Sequence, residues 1–299
     1  QWLASLDERF LSRLRTVGLA NGVGVTRTTL GGFLDRAMRM LNVKLSTATF
    51  YGHTARNLLD YFTAGRLLGD ITEADTDGWR SWLTDNQGLS HATVARRVVA
   101  TRTLWRMAVR WKLAARNPFD GVRGGSQQNE SRKRFIPADT INRILDACPD
   151  AEWRLLIGLS RWGGLRCPSE HLALKWQDVD WDRGTLRVRS VKTEHRDGHA
   201  VRVVPLFPEL RRLLLIAFEN APDGAEHVIS RYRDATVNLR TQFERLIRRA
   251  GCEPWPRLWQ NLRASRETEL MRSYDLATVC KWIGNSPEVA AKHYAMSTD

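Results

Sequence analysis

The sequence predicts a mainly α-helical protein with one small antiparallel β-sheet: an all-α N-terminal part, then an α+β C-terminal part. Three observations predict it. Apolar residues recur at helical spacing from Ser46 to about Pro118 and again from Pro208 onward. Between Asp178 and Leu206 the period switches to two. A stretch rich in Gly, Ser, Gln, Lys and Arg, residues 121–134, separates the two parts as a basic linker. The expected organisation is a helical N-terminal extension (1–42), a helical domain (43–120), the linker (121–134) and a second domain (135–299).

In the extension, Leu3, Leu6, Phe10, Leu11 and Leu14 recur at helical spacing, and Gly18, Gly22 and Gly24 break the pattern. Ser46 or Thr47 can cap a helix carrying Tyr51, Leu58, Leu59 and Phe62. A second helix runs from about Asp75, with Trp79, Trp82 and Leu83 on its apolar face. A third begins near Ser90 and carries Val94, Val98, Trp105, Ala108 and Trp111. Arg102, Arg106 and Arg110 fall on one face of it, four residues apart. Such a stripe can follow a phosphate backbone, and it can equally be a solvated face. The linker ends in Arg132, Lys133 and Arg134, a second basic candidate for DNA contact. Beyond it, Pro137 opens a helix with Ile141, Ile144 and Leu145, and another helix spans about 151–162. Thr185 to Arg189 alternates and Val201 to Leu206 is β-branched and apolar. They read as a hairpin, with a first strand near Val179. Helices are then expected at about 209–219, 235–250, 257–272, 275–283 and 287–294.

Charge narrows the function classes. Lys plus Arg number 46 against 33 acidic residues, a net charge of +13. A surplus of that size favours a polyanionic partner, with nucleic acid ahead of an anionic membrane surface. No apolar run has the length of a bilayer span, and no signal-peptide pattern opens the chain. Cys148, Cys167, Cys252 and Cys280 are scattered, which fits buried thiols in a reducing cytosol rather than disulfides or a zinc site. His195 and His199 have a metal-like spacing but no Cys or carboxylate around them, and read as a solvated loop.

Four features occur in a telling order. The first is Gly163-Gly164-Leu165-Arg166, followed by Glu170 and Trp176. The second is Lys192 at the hairpin turn. The third is Asn261-Leu262-Arg263 opening a helix. The fourth is Trp282-Ile283-Gly284-Asn285-Ser286, with Tyr294 nine residues after Asn285. Together they resemble the catalytic domain of tyrosine recombinases (phage integrases) over about Arg134 to Ala295. Residues 46–118, closing in Asn117-Pro118, resemble that family's helical, SAM-like core-binding domain.

The resemblance implies a site-specific recombinase or integrase that cuts and rejoins double-stranded DNA through a 3′-phosphotyrosyl intermediate. Tyr294 would be the nucleophile, Arg166 and Arg263 the phosphate clamp, Lys192 the general acid and Glu170 an orienting group. The resemblance further implies a homo-tetramer on paired DNA sites and a cytoplasmic, nucleoid-associated protein, with no cofactor, metal or membrane partner. The chemistry agrees with the residue types. Two planar guanidiniums can grip the non-bridging oxygens of a phosphodiester. A phenol has a reference pKa of about 10, and clustered positive charge favours its phenolate. The bond energy kept in a phosphotyrosine removes the need for ATP.

Three positions depart from the family pattern. Gln260 stands where the family has His, three residues before Arg263, and Asn285 stands where it has His or Trp. Amides can donate to phosphate oxygens but cannot exchange protons near neutral pH. His293 and His171 are the nearby imidazoles. The acidic residue lies one place late: Ser169 is three residues after Arg166, and Glu170 is next. Two other functions compete with recombination: a DNA-binding accessory or regulatory protein with little cleavage, and a topoisomerase-like relaxing enzyme.

Overall fold

The computed structural model describes Asp7, Phe10, Arg13, Leu14 and residues 28–125, 129–190, 200–234 and 237–293. The expected apolar positions Leu3, Leu6 and Leu11, the glycines at 18, 22 and 24, Lys192, His195, His199 and Tyr294 lie outside the described residues. The chain divides into two compact units, 1–129 and 130–299.

The first unit is all-helical. Helix α1 (Leu30–Met40) is capped by Thr29, whose hydroxyl accepts from Gly32 N at 3.3 Å. It buries Leu30, Phe33, Leu34 and Ala37, the i, i+3, i+4, i+7 set of one helix face. These side chains share one core with the later helices, so the boundary expected at 42/43 falls inside this unit. Helix α2 (Leu45–Phe62) starts earlier than expected: Lys44 is its N-cap, and Ser46 and Thr47 lie in its first turn. Helix α3 (Glu73–Asp85) opens on a reciprocal Thr72–Asp75 capping box. Helix α4 (His91–Arg110) follows Ser90. The core is aromatic: Trp105 packs against Phe33 and Phe119 with centroids 5.9 and 4.7 Å apart, and Trp79 meets Phe119 edge-on at 5.5 Å.

The second unit is built around two buried helices. Helix α5 (Ala138–Asp146) leads to α6 (Ala151–Arg161), capped by Asp150, which accepts from Trp153 N at 2.8 Å. Residues 155–161 are all buried, so α6 is covered on every side. Gly158 permits this, because a Cβ there would sit 2.3 Å from Leu213 Cδ1 on the helix packed against it. A short α7 (Ser169–Ala173) precedes the antiparallel sheet β1 (Val179–Asp180), β2 (Thr185–Arg189) and β3 (Val201–Pro205), in that spatial order. In the β2–β3 register Leu186 faces Val204 and Val188 faces Arg202. All four are buried. Helices α8 (Pro208–Glu219), α9 (Leu239–Arg249), α10 (Leu258–Leu270), α11 (Leu276–Ile283) and α12 (Pro287–His293) complete the unit. No helix among the described residues is long and apolar enough to cross a membrane.

Candidate active site

Helix α10 runs through the second unit with polar side chains buried along it, and these build the site. Asn261 donates from Nδ2 to the carbonyls of Pro256 (2.7 Å) and Arg132 (3.0 Å). Ser265 accepts from Ile136 N at 2.8 Å. The end of the expected linker is thereby tied to α10. Arg263, between them, is 2% exposed.

Three arginines from separate elements converge on the C-terminus of α11. Arg202 on β3 donates Nε to Trp282 O at 2.8 Å, Arg263 on α10 donates to Ile283 O at 2.7 Å, and Arg166 donates to Gly284 O at 2.5 Å. Arg263 also donates to Gly164 O. These are the carbonyls that a helix end leaves without intrahelical partners, at the negative end of its dipole. Gly284 adopts φ 78°, and a Cβ there would lie 2.9 Å from Arg202 Cδ, so close approach and a left-handed turn both call for glycine. Gly164, with φ 65°, likewise leaves room for Ile283, whose Cδ1 would be 2.5 Å from a Cβ.

Glu170 is the counter-ion of this group. Its carboxylate takes Arg166 at 2.6 Å and both terminal nitrogens of Arg202 at 2.9 and 2.6 Å. It also accepts from Arg166 N at 2.8 Å. Ser169 is exposed, so Glu170 rather than Ser169 reaches Arg166. Burial alone would push the Glu170 carboxyl up. The hydrogen bonds and charge of Arg202 outweigh it, Arg263 and Arg166 add to them, and the carboxyl is held at about 2. Asn285 follows Gly284 and donates Nδ2 to Glu267 Oε1 at 2.7 Å. Gln260 is exposed on the first turn of α10, one turn before Arg263.

Residues 134–299 match the family model described as "Phage integrase family", and residues 29–127 match the "Phage integrase SAM-like domain". The chain belongs to the phage integrase family of tyrosine recombinases. Over 151 residues it is 33% identical to the tyrosine recombinase XerC of Pelotomaculum thermopropionicum, a match spanning 46% of this chain and 48% of that relative. The chain thus matches about half the length of that curated relative. Among solved structures the integrase fold is similar to a lambda integrase dimer bound to a COC' core site. The TM-score is 0.73 at 18% identity, over 98% of this chain and 82% of that one. It is also similar to the Tn1549 transposon integrase in complex with circular intermediate DNA, with a TM-score of 0.75 at 17% identity, over 91% and 96%.

Within this chain the expected DNA-facing arginines divide. Arg102 is half-buried and donates to the carbonyls of Phe119 (3.0 Å) and Val122, so its guanidinium fastens the segment after α4. Its Nε and Nη2 are thereby held by backbone carbonyls, which leaves less of this guanidinium for DNA than its place in the stripe suggested. Arg106 and Arg110 are exposed. In the linker, Lys133 pairs with Glu130 at 2.8 Å, while Arg132 and Arg134 are exposed. His171 is fully buried, shares a hydrogen bond with Ser160 Oγ at 3.2 Å and is held neutral, burial driving it down to about 3. It is a core histidine and supplies no imidazole to the arginine cluster. The His293 side chain lies outside the described residues.

Two residues of the site were missed by sequence reasoning. Arg202 was hidden in a β-branched strand. Strict alternation back from Val204 places it on the inward face, which is a legible signal for a buried charge. Glu267 lies four residues after Arg263, the spacing that stacks side chains on one helix face.

Proposed function

We propose that this chain is a site-specific recombinase that cuts and rejoins double-stranded DNA with Tyr294 as nucleophile. The observation that carries the reading is the convergence of Arg166 and Arg263 on the carbonyls of Ile283 and Gly284, immediately before Asn285, which itself lies nine residues before Tyr294. The two guanidiniums would bind the non-bridging oxygens of one phosphodiester and stabilise the charge that grows in the phosphorane. Tyr294 loses its phenolic proton to solvent, favoured by the neighbouring positive charge; its phenolate oxygen attacks phosphorus, the bond to the 5′-oxygen breaks, and Lys192 gives that oxygen its proton. The 3′-phosphotyrosine is then attacked by the 5′-hydroxyl of a partner strand, and the phenol is released. Glu170 acts through the arginines as a positioning residue. Gln260 and Asn285 would donate amide N–H groups to phosphate oxygen. Arg106, Arg110, Arg132 and Arg134 would contact the backbone of the duplex, and four copies would act on two paired sites.

The test is a nicked suicide duplex carrying a candidate target site taken from the DNA that flanks the gene. A covalent protein–DNA adduct is expected with the wild-type chain and is absent in Tyr294→Phe. Failure to trap any adduct would refute the catalytic reading. The two amides favour a second reading, a DNA-binding member of the family with little cleavage, because neither Gln260 nor Asn285 can exchange a proton near neutral pH. Salt-dependent DNA binding without adduct would establish that one.

A further inference from the structure

Glu267 is fully buried on α10, one turn beyond Arg263. One of its oxygens, Oε1, accepts from Asn285 Nδ2 at 2.7 Å. The other, Oε2, is buried with no hydrogen-bond partner, and so is Oδ1 of Asn285. Two acceptor oxygens are therefore stranded on two planar groups that one hydrogen bond already joins. Buried polar atoms are almost always paired. A carboxylate facing an amide can form only one hydrogen bond, because the carboxylate has no donor. A carboxylic acid facing an amide forms two, donating from one oxygen and accepting at the other. One proton on Oε2 gives both stranded atoms a partner.

The surrounding groups are consistent with that proton. Facing Glu267 are Arg263 from its own helix, Arg166 from the loop before α7, and Cys280 and Asn285 from α11 and the turn after it. Burial raises the Glu267 carboxyl above its ordinary range, against the Asn285 hydrogen bond and the charges of Arg263 and Arg166.

We propose that Glu267 is a neutral carboxylic acid in the resting protein, its proton shared between Oε2 and Oδ1 of Asn285. In that state it is a positioning residue that fixes the Asn285 amide and leaves the charge of Arg166 and Arg263 for a phosphodiester. The inference rests on the reading of those two arginines as the phosphate clamp. Ionised, Glu267 would set a second carboxylate beside Glu170 against the same guanidiniums and would repel the incoming phosphate. Protonated, it adds no charge and holds the amide in one orientation. An arriving phosphodiester strengthens the preference for the protonated form, so DNA binding and retention of this proton are linked.

The test has two arms. Infrared spectra of the full chain at neutral pH, with carbon-13 label in the glutamate carboxyls, are compared for wild type and Glu267→Gln. A carbonyl band of a protonated carboxylic acid is expected in the wild type and lost in the variant. Its absence from the wild-type spectrum overturns the proposal, whether or not the variant folds. This arm needs no DNA cleavage, so it separates a failure here from a failure of the recombinase reading. The second arm is the pH profile of adduct formation. Above the ionisation of Glu267 the wild-type rate falls by about tenfold per pH unit. In Glu267→Gln, which keeps the shape and cannot ionise, that limb is flat, while Glu267→Ala is slow at every pH. The same falling limb in wild type and Glu267→Gln would overturn the proposal.

Discussion

Replacing Glu170 by Gln removes one charge and almost no volume, and its cost can be worked out from the structure. The Glu170 side chain is 1% exposed, and its carboxylate holds Arg202, itself only 7% exposed, through two hydrogen bonds. Its carboxyl sits at about 2, against 4.5 for an ordinary glutamate. That difference corresponds to about 3 kcal/mol of stability. The figure agrees with the roughly 3–5 kcal/mol lost when a buried ion pair is broken from one side. Because the folded-state value is depressed, this stability is fully present above pH 4.5 and is lost as pH falls from there towards 2. Urea denaturation of the full chain, following the transition of the second unit, should therefore show Glu170→Gln less stable by about 3 kcal/mol at neutral pH. The melting temperature should fall by roughly 6–12 °C. The gap between the two proteins should close as pH drops below 4.5. Adding Arg202→Met to the variant should recover part of the loss, since the stranded charge goes with it. A neutral-pH gap under about 1 kcal/mol, the value of an exposed pair, would refute the reasoning. So would a gap that does not change with pH in that acid range.

Three further outcomes follow from the structure. Arg102→Met should destabilise the first unit by about 1–3 kcal/mol, since the Phe119 and Val122 carbonyls lose their donor, and leave the salt dependence of DNA binding unchanged. Arg106→Ala and Arg110→Ala should each lower the slope of log affinity against log salt by about 1 without shifting the melting temperature; thermal melts and salt-titrated binding curves check both halves. Gly284→Ala should cost about 1–3 kcal/mol, because φ is 78° and the new Cβ would meet Arg202 Cδ at 2.9 Å. It should also slow adduct formation by displacing Asn285, which a melt and a single-turnover assay measure; an unaltered melting temperature would contradict it.

Much of this architecture was legible in the sequence because it is local. Ser90, Pro208 and the apolar spacing that follows each mark helices that do form, and the change of period between Asp178 and Leu206 marks the three-stranded sheet. What was not legible depends on partners distant in sequence. Leu30, Phe33, Leu34 and Ala37 spell a helix face, but nothing nearby says that the face joins the core of Trp105 and Phe119. Arg102, Arg106 and Arg110 are equivalent in spacing. Only the carbonyls of Phe119 and Val122, folded back against α4, set the first apart from the other two. Glu267 looks like half of an exposed ion pair four residues from Arg263, until the burial of α10 takes the water away.

The convergence at the end of α11 also predicts that its arginines are not exchangeable for lysine. Trp282, Ile283 and Gly284 present three consecutive carbonyls, and each is met by a different guanidinium. Every one of those guanidiniums bridges to a second, separately placed acceptor: Arg202 and Arg166 to Glu170, and Arg263 to Gly164. A planar fork spans two fixed acceptors at once, whereas an ammonium on a flexible stem is a point charge that meets one well and leaves the other. The backbone at residue 284 is thus fixed from three directions, by β3, by α10 and by the loop before α7. Asn285 is the next residue, and α12, which leads to Tyr294, begins two residues later. The charges proposed for the phosphate and the backbone that leads to the proposed nucleophile are consequently joined at residue 284 by hydrogen bonds, and a change that loosens either one is expected to disturb the other.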